Sequence, residues 1–121
     1  MNEIILSTIP FLMDGLLMTF KISLLTIFFG SLIGVVVGML RSLDYAVITY
    51  PLGAYIHALR GTPFLIHLYL VYFMLPMTGI SWLQFEAFPA AVIALSMYTS
   101  TYVAEIVRSA IQAVPRGQSE A

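Results

Sequence analysis

Charged residues are rare, and they divide the chain into long uncharged stretches. Nineteen uncharged residues lie between Lys21 and Arg41, and eighteen more precede Glu105. A helix of either length reaches about 27–28 Å, close to the thickness of a bilayer's hydrocarbon core. The pattern predicts two membrane-spanning helices, over about 15–40 and 87–114.

A further span is predicted between these two, but with an interruption. Twenty-five uncharged residues separate Arg60 from Glu86, and the sequence Arg-Gly-Thr-Pro at 60–63 opens this stretch. Proline disfavours helical geometry in the residue before it, and a helix from Pro63 to Leu75 covers only about 20 Å. We therefore expect a broken or kinked span over about 51–75. The alternative is an interfacial helix joined to a short span, with Arg60 reaching the lipid phosphates.

The first residues form an apolar leader. The stretch 4–13 follows Glu3 and contains Pro10, and it lacks the basic start of a removable signal peptide. We expect a short interfacial segment that leads into the first span.

Composition agrees with a membrane protein. Of the 121 residues, 60% are hydrophobic and 9% are charged, against about 25% charged in a soluble domain. A net charge of −1 gives no electrostatic basis for binding nucleic acid. The absence of cysteine excludes disulfides, thiolate metal sites and cysteine nucleophiles within this sequence.

The arginines predict the orientation, because cytoplasmic loops are enriched in basic residues. Arg41 and Arg60 flank the first connection, and Arg108 and Arg116 lie near the tail. The connection 74–86 contains no basic residue. We therefore expect the N-terminus outside and the C-terminal tail in the cytoplasm.

Small residues at helical spacing predict close helix packing. Gly30, Gly34 and Gly38 form two overlapping G-x-x-x-G repeats on one face of the first span. Packing within the chain is the favoured interpretation, and a contact with a second chain is the alternative.

Few residues could support catalysis or metal binding. The two histidines, His57 and His67, do not have metal-ligand spacing, and no nucleophile elbow or phosphate-binding loop is present in the sequence. We expect both histidines to be packing or interfacial residues, and we expect no metal, cofactor or catalytic residue on this chain.

Glu105 and Arg108 are the charged residues of greatest interest. They are three residues apart, so they lie on one helix face and can pair. A structural ion pair is one interpretation. In the other, Glu105 joins a polar surface that lines a route or anchors a neighbouring helix, together with Ser96, Thr99, Ser100 and Thr101.

Two long motifs resemble the permease subunits of importers of the ATP-binding-cassette (ABC) type for polar amino acids. The stretch RGTPFLIHL at 60–68, followed by YFMLP at 72–76, is similar to R-G-T-P-L-L-V-Q-L…Y-F-x-L-P of that family. The stretch YVAEIVR at 102–108, with VPRGQSEA at 114–121, resembles its Y-x-A-E-I-x-R…V-P-x-G-Q-x-E-A-A. The resemblance covers nearly the whole chain and includes importers of the histidine, glutamine, arginine and opine type.

The resemblance implies specific roles for some of these residues. Gly117, Glu120 and Ala121 would begin the cytoplasmic coupling loop, from about residue 115, that docks on an ATPase. Arg60, Thr62, Pro63, Glu105 and Arg108 become candidate motif or pathway residues. His67 stands where the family usually has glutamine, which leaves the substrate open. Since the loop motif is cut after its second residue, the sequence is expected to be an N-terminal fragment.

The resemblance also implies an all-α fold, the first three spans of a type I ABC importer transmembrane domain. The expected function is ATP-driven uptake of a polar amino acid in the bacterial inner membrane. The expected partners are cytoplasmic ATPase subunits carrying ATP and magnesium, a second permease subunit, an extracytoplasmic binding protein and membrane lipid. Two alternatives stay open: a three-helix unit of a gradient-driven transporter, and a membrane scaffold that transports nothing.

Overall fold

The computed structural model describes residues 1–114. Over this range the chain is all-α, as the sequence predicts. Its four α-helices are α1 (Asn2–Arg41), α2 (Ala46–Arg60), α3 (Phe64–Tyr69) and α4 (Ala87–Ala113). A π-helical turn (Leu70–Met74) continues α3, and two 3-10 turns (Pro76–Thr78 and Ser81–Leu83) complete the connection to α4.

Helix α1 is longer than the predicted span. It is a single helix of 40 residues that includes the leader and Pro10, so the expected separate segment before the first span is not observed. Neighbouring hydroxyls bind the backbone there: Ser7 and Thr8 both donate to the carbonyl of Ile4, at 3.0 and 2.5 Å. In an apolar medium, a helix is the conformation that satisfies the backbone internally, and it tolerates proline.

The predicted interruption at the Arg-Gly-Thr-Pro sequence is confirmed. Helix α2 ends at Arg60, the Gly61 amide donates to the His57 carbonyl at 2.8 Å, and Pro63 is extended (φ −61°, ψ 141°) at the start of α3. The chain bends by 105° there. Within residues 1–114, two helices, α1 and α4, are each long and apolar enough to cross a membrane. The bent pair of helical segments, Ala46–Arg60 and Phe64–Thr78, would supply a third span if the two segments count as one span.

Helices α1 and α4 pack in parallel along the glycine face. Ideal Cβ atoms placed on Gly30, Gly34 and Gly38 would lie 2.9 Å from Thr99 Cβ, 2.5 Å from Val103 Cβ and 2.6 Å from the Ala104 carbonyl oxygen. Successive glycines along α1 meet residues successively further along α4, so the two helices run in the same direction. The glycine face therefore packs within the chain, as the favoured interpretation predicts.

Parallel packing dictates the path of the connection. Arg41, at the end of α1, contacts Glu105 near the end of α4, whereas Met18 and Ile22 lie beside Ala87 at its start. Residues 42–86 must therefore return along the height of the pair, about 28 Å.

The return proceeds in steps. Ile56 of α2 packs with Val37 and Ala104. Further along the chain, Val71 packs with Ala90 and Ala94. Because successive contacts approach the start of α4, the broken segment runs antiparallel to α4 despite its bend.

Candidate functional site

Three charged side chains meet where the ends of α1 and α4 come together. Arg108 Nη1 lies 3.7 Å from Glu105 Oε2, so the ion pair predicted from the sequence is present. The stronger partner was not predicted: Arg41 Nη1 of α1 donates to Glu105 Oε1. Arg41 is 64 residues away in sequence, and spacing rules for one helix cannot detect such a partner.

Arg41 is buried and also touches α2. It is 8% exposed, and its Nη2 lies 3.5 Å from the position that a Cβ on Gly53 would occupy. A buried guanidinium is costly unless it is paired, and Glu105 supplies the pairing charge. The absence of a side chain at Gly53 leaves room for the guanidinium between the helices.

Aromatic side chains of α4 hold the break between α2 and α3. The guanidinium of Arg60 lies 4.6 Å from the centre of the Tyr102 ring, a cation–π contact. The hydroxyls of Tyr102 and Tyr98 are 2.9 Å apart, and the Tyr98 ring packs edge-on against Phe64 at 5.6 Å. Arg60, a predicted motif residue, is therefore bound to α4 through Tyr102, which lies three residues before Glu105.

Thr62 and His67 form a second contact across the break. The Thr62 hydroxyl donates to the Ala58 carbonyl at 2.8 Å and also contacts His67 Nε2. Since that hydroxyl has one hydrogen, Nε2 is the donor to Thr62. His67 Nδ1 is then a buried acceptor without a hydrogen-bond partner in the described part of the chain. His67 is buried, with 8% of its surface exposed, whereas His57 of α2 is exposed.

The polar residues in the middle of α4 pack against other helices. Tyr55 of α2 contacts Ser100 Oγ at 2.9 Å and donates to the Met97 carbonyl at 3.3 Å. Ser96, Ser100 and Thr101 are buried. Of the two roles proposed for this surface, the described contacts match helix anchoring. Within residues 1–114, no group of three or more metal-binding side chains is found.

The residues predicted for coupling, Gly117, Glu120 and Ala121, lie outside the described residues. The predicted motif or pathway residues fall into two groups. Glu105 and Arg108 lie in α4 beside the end of α1, and Arg60, Thr62 and Pro63 lie at the break. Both groups are built against α4, which makes this helix the centre of the candidate site.

Comparison with known proteins gives a consistent result. The chain is 36% identical to the arginine transport system permease protein ArtQ of Bacillus subtilis over 113 residues, 93% of this chain and 51% of that protein. It is 31% identical to the L-cystine transport system permease protein TcyB of the same organism, over 93% of this chain and 47% of that protein. No family model matches the chain.

A solved structure shares the fold. The crystal structure of an amino acid ABC transporter with histidines superposes with a TM-score of 0.83 at 37% identity, covering 96% of this chain and 53% of the solved chain. The chain therefore spans about half the length of the relatives that it matches. These relatives support the resemblance found in the sequence and give no support to a gradient-driven transporter or a scaffold.

Proposed function

We propose that this chain, which belongs to the permeases of amino-acid ABC transporters, forms part of the membrane path for ATP-driven uptake of a polar amino acid. The supporting observation is the match along nearly the whole chain, in sequence and in fold, to such permeases. The relatives are transport proteins, and ATP hydrolysis is assigned here to separate cytoplasmic subunits that carry ATP and magnesium.

The proposed assembly contains further chains. A second permease subunit, identical or different, would complete the path, and a periplasmic or lipid-anchored binding protein would deliver the amino acid. The N-terminus of α1 faces outward and the tail lies in the cytoplasm of a bacterial cell. Gly117, Glu120 and Ala121 begin the contact with the ATPase. Many large apolar side chains are exposed on the described helices, Phe11 at 76% and Phe28 at 62% among them, which agrees with a lipid environment.

Uptake in the cell that carries the gene tests this function. The gene is deleted and restored, and uptake of labelled acidic, neutral polar and basic amino acids is measured. We expect one group to lose uptake on deletion, and the restored uptake to stop when arsenate depletes ATP. Uptake that resists arsenate but stops when a protonophore collapses ion gradients would select the gradient-driven alternative. Normal uptake of every amino acid after deletion would contradict a transport role.

We further propose that the broken segment, residues 46–78, crosses the membrane once. The support is the parallel packing of α1 and α4, because two parallel spans require an odd number of crossings between them. Leu43 and Ser81 are both exposed at the two ends of this segment. They should therefore lie on opposite sides of the membrane, Leu43 inside and Ser81 outside.

Cysteine labelling tests the crossing, since residues 1–121 contain no cysteine. The unsubstituted gene product, treated in the same way, gives the background. Leu43→Cys and Ser81→Cys are each expressed in whole cells and treated with a membrane-impermeant maleimide before or after permeabilisation. We expect Ser81→Cys to react in intact cells and Leu43→Cys to react only after permeabilisation. Equal reactivity of both variants in intact cells would mean that the segment enters and leaves the membrane on the same side and does not cross it.

A further inference from the structure

Arg41 is a buried cation at the point where three helices meet. Its side chain is 10% exposed and donates from Nη1 to Glu105 Oε1 of α4. Its Nη2 lies 3.5 Å from the position that a Cβ on Gly53 of α2 would occupy. Because a buried charge must keep its partner, the position of Glu105 is tied to α1 at the point where α1 lies beside α2.

The second cation near Glu105 is held less closely. Arg108 lies on the same helix as Glu105, its side chain is 30% exposed, and the two groups are 3.7 Å apart. A partly exposed pair within one helix contributes little, and it does not join α4 to another helix. The contact with Arg41 is shorter and more buried, and it joins two helices. Arg41 therefore determines where the carboxylate of Glu105 lies relative to the other helices.

An ion pair with a buried arginine is poorly suited to the purpose of stability alone. Well-packed apolar residues of similar volume are often as stable or more stable, and in some proteins a charged group instead selects one arrangement of the packed helices. Glu105 lies eight residues before the end of α4 at Ala113, about 12 Å along the helix. The segment proposed to contact the ATPase begins shortly after that end.

We propose that Arg41 is a positioning residue for transport: through Glu105 it fixes the Ala113 end of α4 against α1 and α2, so that ATP hydrolysis and substrate movement stay coupled. The inference rests on the proposed function and adds a named residue to it. The ends of α1 and α4 then move as one unit when the ATPase acts. Loss of the pair frees the carboxylate of Glu105 from α1, while the glycine face still holds the two helices together.

The test measures amino acid taken up per ATP hydrolysed, in vesicles containing the gene product assembled with its ATPase and binding protein. Arg41→Gln and Glu105→Gln are each expected to lower this ratio, because each leaves one charge of the pair without its partner. The double exchange Arg41→Glu with Glu105→Arg restores the pair and should recover most of the ratio. Lys21→Gln is the matched control, because it removes one positive charge from an exposed position of α1 and should leave the ratio unchanged.

A second pair of variants displaces Arg41 without changing any charge. Gly53→Ala places a Cβ 3.5 Å from Nη2, an ordinary contact, and should transport normally. Gly53→Leu extends the side chain into the guanidinium and should uncouple transport as Arg41→Gln does. If Arg41→Gln fails to assemble, the comparison of Gly53→Leu with Gly53→Ala still tests the role of Arg41.

The outcomes separate the two proposals. A merely structural role would lower the amount of assembled complex and reduce uptake and hydrolysis together, leaving their ratio intact. An unchanged ratio in Arg41→Gln and Gly53→Leu, with a wild-type assembly that transports, would overturn the role of Arg41. Absence of ATP-dependent uptake in the wild-type assembly would instead overturn the proposed function.

Discussion

Adding one methyl group at Gly34 is expected to force α1 and α4 apart. The new Cβ would lie 2.5 Å from Val103 Cβ and 2.9 Å from the Ser100 carbonyl oxygen, and the latter belongs to the backbone of α4 and cannot rotate away. Non-bonded carbons approach best at about 3.5–4.0 Å, so the two helices must separate by about 1 Å near this point.

The size of the effect follows from two opposing terms. Overpacking a close interface costs about 1–3 kcal/mol. Alanine gains about 0.5–1 kcal/mol over glycine inside a helix. We therefore expect Gly34→Ala to destabilise the protein by about 1 kcal/mol net, within a range of about 0–2.5 kcal/mol. Gly15 is the matched control, since a Cβ added there meets nothing within 4 Å. Gly15→Ala keeps the helix gain without the clash and should be neutral or stabilising.

The assay is thermal unfolding of the detergent-solubilised gene product, followed by the loss of its monodisperse peak on size-exclusion chromatography. Gly34→Ala should lower the midpoint temperature relative to both the wild type and Gly15→Ala. Gly38→Ala should behave similarly, because its Cβ would meet the Ala104 carbonyl at 2.6 Å. If Gly34→Ala melts together with Gly15→Ala, the glycine face is not the contact that holds α1 to α4.

Two further predictions concern α4 and use the same unfolding assay. Tyr102→Phe keeps the ring under Arg60 and loses only an exposed hydroxyl contact with Tyr98, so its midpoint should stay close to that of the wild type. Tyr102→Leu also loses the cation–π contact and should cost about 0.5–1 kcal/mol beyond lost packing. Equal midpoints for the two variants would show that the cation–π contact does not stabilise the protein. Tyr55→Phe removes the hydrogen bond to Ser100 and should cost about 0.5–1.5 kcal/mol, and a midpoint equal to that of the wild type would show that this bond does not help hold α2 against α4.

Local patterns in the sequence predict much of this fold. Hydrophobic length indicates the position of α4, and the Arg-Gly-Thr-Pro sequence indicates the break after Arg60. The spacing of Gly30, Gly34 and Gly38 marks the close interface. Each of these signals comes from residues within one helix or one turn, where geometry follows directly from separation along the chain.

Contacts between distant segments are harder to predict. The sequence gives no sign that Glu105 pairs with Arg41, because many alternative helix arrangements would place other groups beside the carboxylate. The length of α1 is also missed, since Pro10 and Glu3 read as features of an interfacial leader. In the structure, the helix passes through both residues without a break. Both errors arise from applying local rules to positions that tertiary packing or the apolar medium decides.

The placement of the cations follows from the apolar medium. Each arginine within residues 1–114 contacts a side chain of α4: Arg41 and Arg108 contact Glu105, and Arg60 contacts the ring of Tyr102. Association between helices in lipid gains little from the hydrophobic effect, so close packing and polar contacts must supply the specificity. In this chain the glycine face sets the distance between α1 and α4, and the arginines select which turns of α4 meet the ends of α1 and α2. Exchanging the arginines for apolar residues would therefore remove these contacts and leave the glycine face to hold α1 and α4 together, and the coupling proposed for Arg41 would be lost.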